Sequence, residues 1–99
     1  MSDPSDIRID LEEAPTGGAY RVHEGGNVAE LTFSRTNPKL IIVDHTEVPP
    51  FFRGRRIGEK LVARAVDDAR AAGGKIFPLC PFAAAQFRRH PEYEDVLSR

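Results

Sequence analysis

Between Leu40 and Ala72 the apolar pattern changes its period once, at Pro49 and Pro50, and that switch limits the folds open to this chain. Before the prolines, "LIIVDHTEV" begins as a continuous apolar run, which suits a strand covered on both faces. After them, Ile57, Leu61, Val62, Ala65, Val66 and Ala69 recur at helical spacing, a stripe that faces a sheet. The glycines of "AAGG" suit a helix C-cap. "KIFPLC" then reads as a short strand, and "PFAAAQFRRH" as a second helix with Pro81 near its first turn. Pro91 stops that helix, and "EYEDVLSR" is a tail with room for one helical turn. The second half is thus β-α-β-α, with one right-handed crossover between parallel strands.

The first half has the two-residue period of antiparallel strands. "IRIDL" is a short edge-strand candidate, and "EEAPTGG" reads as a loop. "AYRVHE" and "VAELTFS" flank "GGN" and should pair as a hairpin. Residues 1–6 are expected to be disordered and residues 7–99 to form one domain, which 99 residues can just supply with a core. The expected fold class is α/β: a minimal mixed sheet, antiparallel strands first, with helices from the second half.

Charge and cysteine usage narrow the function. Residues 1–48 carry nine acids and four bases, whereas residues 49–99 carry six acids and ten bases. An anionic ligand should therefore meet the second half. A nucleic-acid module using these arginines, with Phe51 and Phe52 for stacking, is disfavoured by a net charge of −1. No apolar run nears the roughly 20 residues that span a bilayer. The polar, acidic start "MSDPSDIRID" is no secretory or transit signal, so a cytoplasmic location without membrane contact is expected. The single cysteine excludes a disulfide framework and a cysteine-based metal cluster. It also excludes a zinc deaminase, despite the spacing of His45 and Glu47, because that site needs a second cysteine.

The anion site is sought at "RGRRIGEKL". A helix N-terminus offers unpaired N–H groups and the positive end of its dipole, and small residues let a phosphate approach the backbone. Neither a Walker loop nor a dinucleotide-binding glycine pattern fits the spacing of Gly54 and Gly58. The competing reading is a surface turn with solvated arginines.

A strand ending in Val48-Pro49-Pro50, followed by Arg53-Gly54 and Ile57-Gly58, resembles the acyl-CoA-binding motif of GCN5-related N-acetyltransferases. That pattern is Gln/Arg-x-x-Gly-x-Gly/Ala: Arg53 matches its first position and Gly58 its last, while Arg56 stands at the middle glycine. "HTEVP", "PLCPF" and "RRHPEY" are similar to a small single-domain subgroup of that superfamily. The resemblance covers residues 18–95. It implies acetyl-CoA as the acyl donor, with no metal, and an amine acceptor. It also implies that Val48 lends backbone groups to the pantetheine arm. The N–H groups from Gly54 to Glu59, Ile57 included, would hold the pyrophosphate, with Arg53, Arg55 and Arg56 as charge-assisted donors. Arg88 and Arg89 are candidates for the adenosine end or a solvated pair.

Acetyl transfer needs a base for the amine, a donor for the oxyanion and a proton for the leaving thiolate. The family's usual Glu and Tyr positions hold Ile42 and Arg88 here. Substitutes exist. His45 and Glu47 lie two apart on a strand and share a face, so Glu47 can orient His45 as a base or simply stitch the sheet. Asp44 belongs on the other face, with Ile42. Cys80 precedes Pro81 and the last helix, where a helix N-terminus favours a thiolate. It can protonate the leaving thiolate, accept the acetyl group, or be a small buried hydrophobe. The leading expectation is an acetyl-CoA-dependent N-acetyltransferase with an exposed, protein-like acceptor. The alternative is a non-catalytic acyl-CoA-binding or sensing domain.

Overall fold

The computed structural model describes residues 7–98; the expected disorder of residues 1–6 lies outside them. Among the described residues the strands β1 (Asp10–Ala14), β2 (Gly17–Glu24), β3 (Asn27–Asn37), β4 (Leu40–Glu47) and β5 (Lys75–Pro78) form one sheet in sequence order. The first four are antiparallel and β4–β5 is parallel, linked through helix α1 (Ile57–Ala72). Helix α2 (Pro81–Arg89) follows, and 3-10 turns cover Pro50–Phe52 and Pro91–Val96. The expected α/β mixed sheet is the one found. No helix among the described residues is long and apolar enough to cross a membrane.

Local chemistry explains each turn. Gly25 and Gly26 both have positive φ, 57° and 77°, as the two-residue turn between β2 and β3 requires. β1 occupies Asp10–Ala14, later than "IRIDL", and Glu12 to Ala14 are strand where a loop was expected. The glycines there serve close backbone approach: a Cβ on Gly17 would stand 2.4 Å from the Phe33 carbonyl oxygen, and one on Gly18 2.2 Å from that of Glu12. α1 ends in a Schellman arrangement, with Gly73 at φ 69°, its N–H donating to the Arg70 carbonyl and that of Gly74 to Ala69.

Both helices cover one face of the sheet. Tyr20, Val22, Ala29, Leu31, Phe33, Ile41 and Val43 join the α1 stripe, with Ala83 and Phe87 of α2, in one buried cluster. Truncating a fully buried member such as Leu61 to Ala costs about 2–5 kcal/mol. The other face carries polar ladders, such as Arg21 bonded to Glu12 and Glu30. β4 is thus covered on one side only, and Ile42 stays half-buried between buried Ile41 and Val43. The tail is more than an appendage: Val96 is buried, Leu97 bridges to Ile76, and the Ser98 N–H donates to the Ile76 carbonyl.

Candidate functional site

β4 and β5 run side by side only as far as Val43 and Pro78. The Cys80 N–H then donates to the Val43 carbonyl at 2.9 Å, and the chain turns into α2. β4 continues to Glu47, paired with β3. A gap therefore opens between β4 and the start of α2, and the start of α1 closes one end of it. Gly58 makes that closure possible. A Cβ on it would lie 2.8 Å from Phe82 Cζ and 3.5 Å from Val48 Cγ2. Val48, Phe82 and Leu79 leave apolar surface exposed here.

Beside the gap lies the arginine-glycine junction. Gly54 has φ 83°, and Arg56, the N-cap of α1, has φ 56° and ψ 36°. Arg56 occupies the position where the family pattern has its middle glycine, and its left-handed backbone supplies the physical reason for a glycine there. An L-residue bears a strain of about 1–2 kcal/mol in that conformation. The first-turn N–H groups of Ile57, Gly58 and Glu59 have no acceptor within the helix, whose ladder begins with Lys60 donating to the Arg56 carbonyl.

The three arginines differ. Arg53 is exposed, and the Arg56 side chain is 80% exposed, 3.9 Å from Glu59. Arg55 instead makes two bonds to Glu24 at the end of β2, Nη1 to Oε1 at 2.5 Å and Nη2 to Oε2 at 2.9 Å. Those bonds hold the Glu24 carboxyl below its ordinary range and raise the Arg55 guanidinium above its own. Arg88 and Arg89 sit exposed in the last turn of α2.

A bulge in β4 distributes the catalytic candidates. Thr32 pairs with His45 and Phe33 with Val43, so Asp44 is the extra residue. The alternation expected along β4 is broken there. Asp44 accepts a bond from Ser34 at 2.7 Å and shares the open face with His45 and Glu47, rather than lying opposite them. His45 Nε2 stands 3.7 Å from Glu47 Oε1, both side chains mostly exposed. Thr46 points to the helix side, where its Oγ1 accepts from the Cys80 thiol at 3.5 Å. Cys80 is 5% exposed and is the N-cap of α2. The structure therefore places Cys80 and the His45–Glu47 pair on opposite sides of β4. Sequence reasoning missed Thr46, Phe82 and Glu24, because a bulge and a contact spanning 31 residues leave no local signal.

A cavity of about 550 Å³ lies elsewhere, between the end of α1 and the sheet, lined by Tyr20, Phe33, Lys39, Asp68 and Ala72 among others. It includes no residue of the arginine-glycine junction.

A family model described as GCN5-related N-acetyltransferase matches residues 19–96. The chain is also similar to a GCN5-like N-acetyltransferase candidate from Staphylococcus aureus, known from its NMR solution structure. Identity is 27% and the TM-score 0.67, over 90% of this chain and 87% of that one. No curated protein matches.

Proposed function

The chain belongs to the GCN5-related N-acetyltransferase family, and on that premise we propose that it transfers an acetyl group from acetyl-CoA to an amine. The observation that carries this reading is the gap between β4 and α2, closed at one end by the arginine-glycine junction. The pyrophosphate meets the N–H groups between Gly54 and Glu59, with Arg53 and Arg56 as exposed cations. The pantetheine arm runs past Val48 and Phe82 along the unpaired edge of β4. No step calls for a metal.

The two sides of β4 then divide the proton chemistry. His45, oriented by Glu47, accepts the amine proton on the open face as nitrogen attacks the thioester carbon. The C–S bond breaks, and Cys80, on the helix side, donates its proton to the departing CoA sulfur. Solvent returns both groups to their starting states. A two-residue turn at Gly25-Gly26 leaves the acceptor side unenclosed, which suits the amine of an exposed protein side chain or terminus, in a cytoplasmic setting. Ile42 and Arg88 at the family's usual Glu and Tyr positions favour a second reading, an acyl-CoA-binding domain without turnover.

Calorimetric titration with acetyl-CoA, CoA and desulfo-CoA, followed by a CoA-release assay on lysine peptides, tests both. Binding of all three with release supports the transferase. Binding without release over a broad peptide panel supports the second reading. Failure of all three to bind removes both.

A further inference from the structure

We propose that Glu24 is a positioning residue for the phosphate-binding junction, and that Arg55 serves as its brace rather than as a ligand of the phosphates. The inference rests on the reading of this junction as the CoA pyrophosphate site. Arg55 is held at three points. Its guanidinium is clamped by both Glu24 oxygens and lies 5.8 Å over the ring of Phe52, which is 1% exposed. Its carbonyl accepts from Lys60 Nζ at 2.7 Å.

The same hairpin tip makes a second contact with this region. A Cβ on Gly25 would lie 3.1 Å from Phe51 Cζ, and Phe51 meets Phe52 edge-on at 5.1 Å. The tip of β2–β3 therefore grips the 3-10 turn through Phe51 and the loop through Arg55. Both neighbours of Arg55, Gly54 and Arg56, have positive φ. A left-handed arginine persists only where its surroundings hold it, and three clustered guanidinium groups repel one another. Glu24 answers both needs. It neutralises one charge and pins the residue between the two left-handed positions, so the N–H groups of the α1 N-terminus stay aimed at one point. Arg53 and Arg56 remain turned to solvent, where an incoming anion meets them.

The test uses CoA titrations at several salt concentrations on the intact chain and on Glu24→Gln, Arg55→Gln, Arg53→Gln and the exchanged pair Glu24→Arg with Arg55→Glu. Thermal melting checks the fold of each variant. Glu24→Gln and Arg55→Gln should each weaken CoA binding about five-fold while leaving its salt dependence as in the parent. Arg53→Gln should weaken binding and flatten the salt dependence. The exchanged pair should recover most of the parent affinity. Three results overturn the proposal: unchanged or tighter binding by Glu24→Gln, a flattened salt dependence in Arg55→Gln, or an exchanged pair as weak as Arg55→Gln alone. Any of them makes Arg55 a direct ligand or leaves Glu24 without a role. Amide hydrogen exchange over Gly54 to Glu59, expected to accelerate in Glu24→Gln, reads the brace without CoA. If the parent chain binds no CoA, the site reading falls, and the exchange rates decide the brace by themselves.

Discussion

The Cys80 thiol and the Thr46 hydroxyl meet where β4 and the start of α2 part, Sγ donating to Oγ1 over 3.5 Å. Because the bulge at Asp44 turns Thr46 toward the helices, the hydroxyl reaches a thiol that alternation along β4 would have denied it. If Cys80 protonates the departing thiolate, Cys80→Ala should lower kcat about 100-fold and leave the acetyl-CoA Kd unchanged. Thr46→Val should fall between that variant and the parent, and Thr46→Ser should recover. Steady-state kinetics paired with calorimetry checks this. A Cys80→Ala variant with full kcat removes the thiol from the chemistry.

Gly58 sets the width of the gap. A side chain there displaces the Phe82 ring, which is 38% exposed and has room to swing outward, so the helix start should survive. Gly58→Glu adds a carboxylate at the proposed pyrophosphate position. It should abolish CoA binding by calorimetry while the circular dichroism spectrum is retained. Gly58→Ala should weaken binding about ten-fold, and Gly58→Ala with Phe82→Ala should regain part of it. Equal affinity in Gly58→Glu and the parent would place the pyrophosphate elsewhere.

What the sequence disclosed was local. The α1 stripe from Ile57 to Ala69 and the Gly25-Gly26 hairpin depend on neighbours a few residues away, and both lie where the pattern put them. So does the junction of Arg53 to Gly58, since one strand end and one helix start define it. Register was not legible. The bulge that moves Asp44 to the face of His45 arises from pairing with β3, and the clamp between Glu24 and Arg55 joins residues 31 apart. Gly17 and Gly18 misled for a related reason: they read as loop residues, but β1 and β3 need them small inside a strand. Packing of Val96 and Leu97 against β5 depended equally on where the sheet ended.

Tyr20 gives the alkaline limit of stability. Its hydroxyl donates to Asp68 Oδ2 at 2.8 Å, and burial, reinforced by that bond and the Asp68 charge, raises its pKa well above tyrosine's ordinary value near 10. The folded chain thus keeps a proton that the unfolded chain releases above pH 10. The stabilisation is complete below that pH and is lost as pH climbs from there toward the folded value. Melting temperatures should fall steeply above pH 10 in the parent and less steeply in Tyr20→Phe. At pH 7 the same variant should lose about 1 kcal/mol, because Asp68 keeps Arg64 at 3.1 Å but loses the hydroxyl. Parallel melting curves from pH 8 to 11 would dissociate Tyr20 from alkaline unfolding.

Arg56 offers a way to separate strain from charge at the same junction. Its φ of 56° is one that glycine adopts freely and arginine does not, and among the described residues it is the only non-glycine with positive φ. Arg56→Gly removes a strain of about 1–2 kcal/mol but restores some freedom to the unfolded chain, for a net gain near 1 kcal/mol. In a domain of this size that gain corresponds to a melting temperature higher by about 4–8 °C. Arg56→Ala loses the same charge and keeps the strain, so its melting temperature should stay near that of the parent. Both variants should bind CoA more weakly and with a flatter salt dependence, since each lacks one cation at the proposed pyrophosphate site. Stability and affinity thus move in opposite directions in the glycine variant. A lower melting temperature in Arg56→Gly would show that the left-handed backbone costs nothing here, and the match to the family's glycine would lose its physical basis.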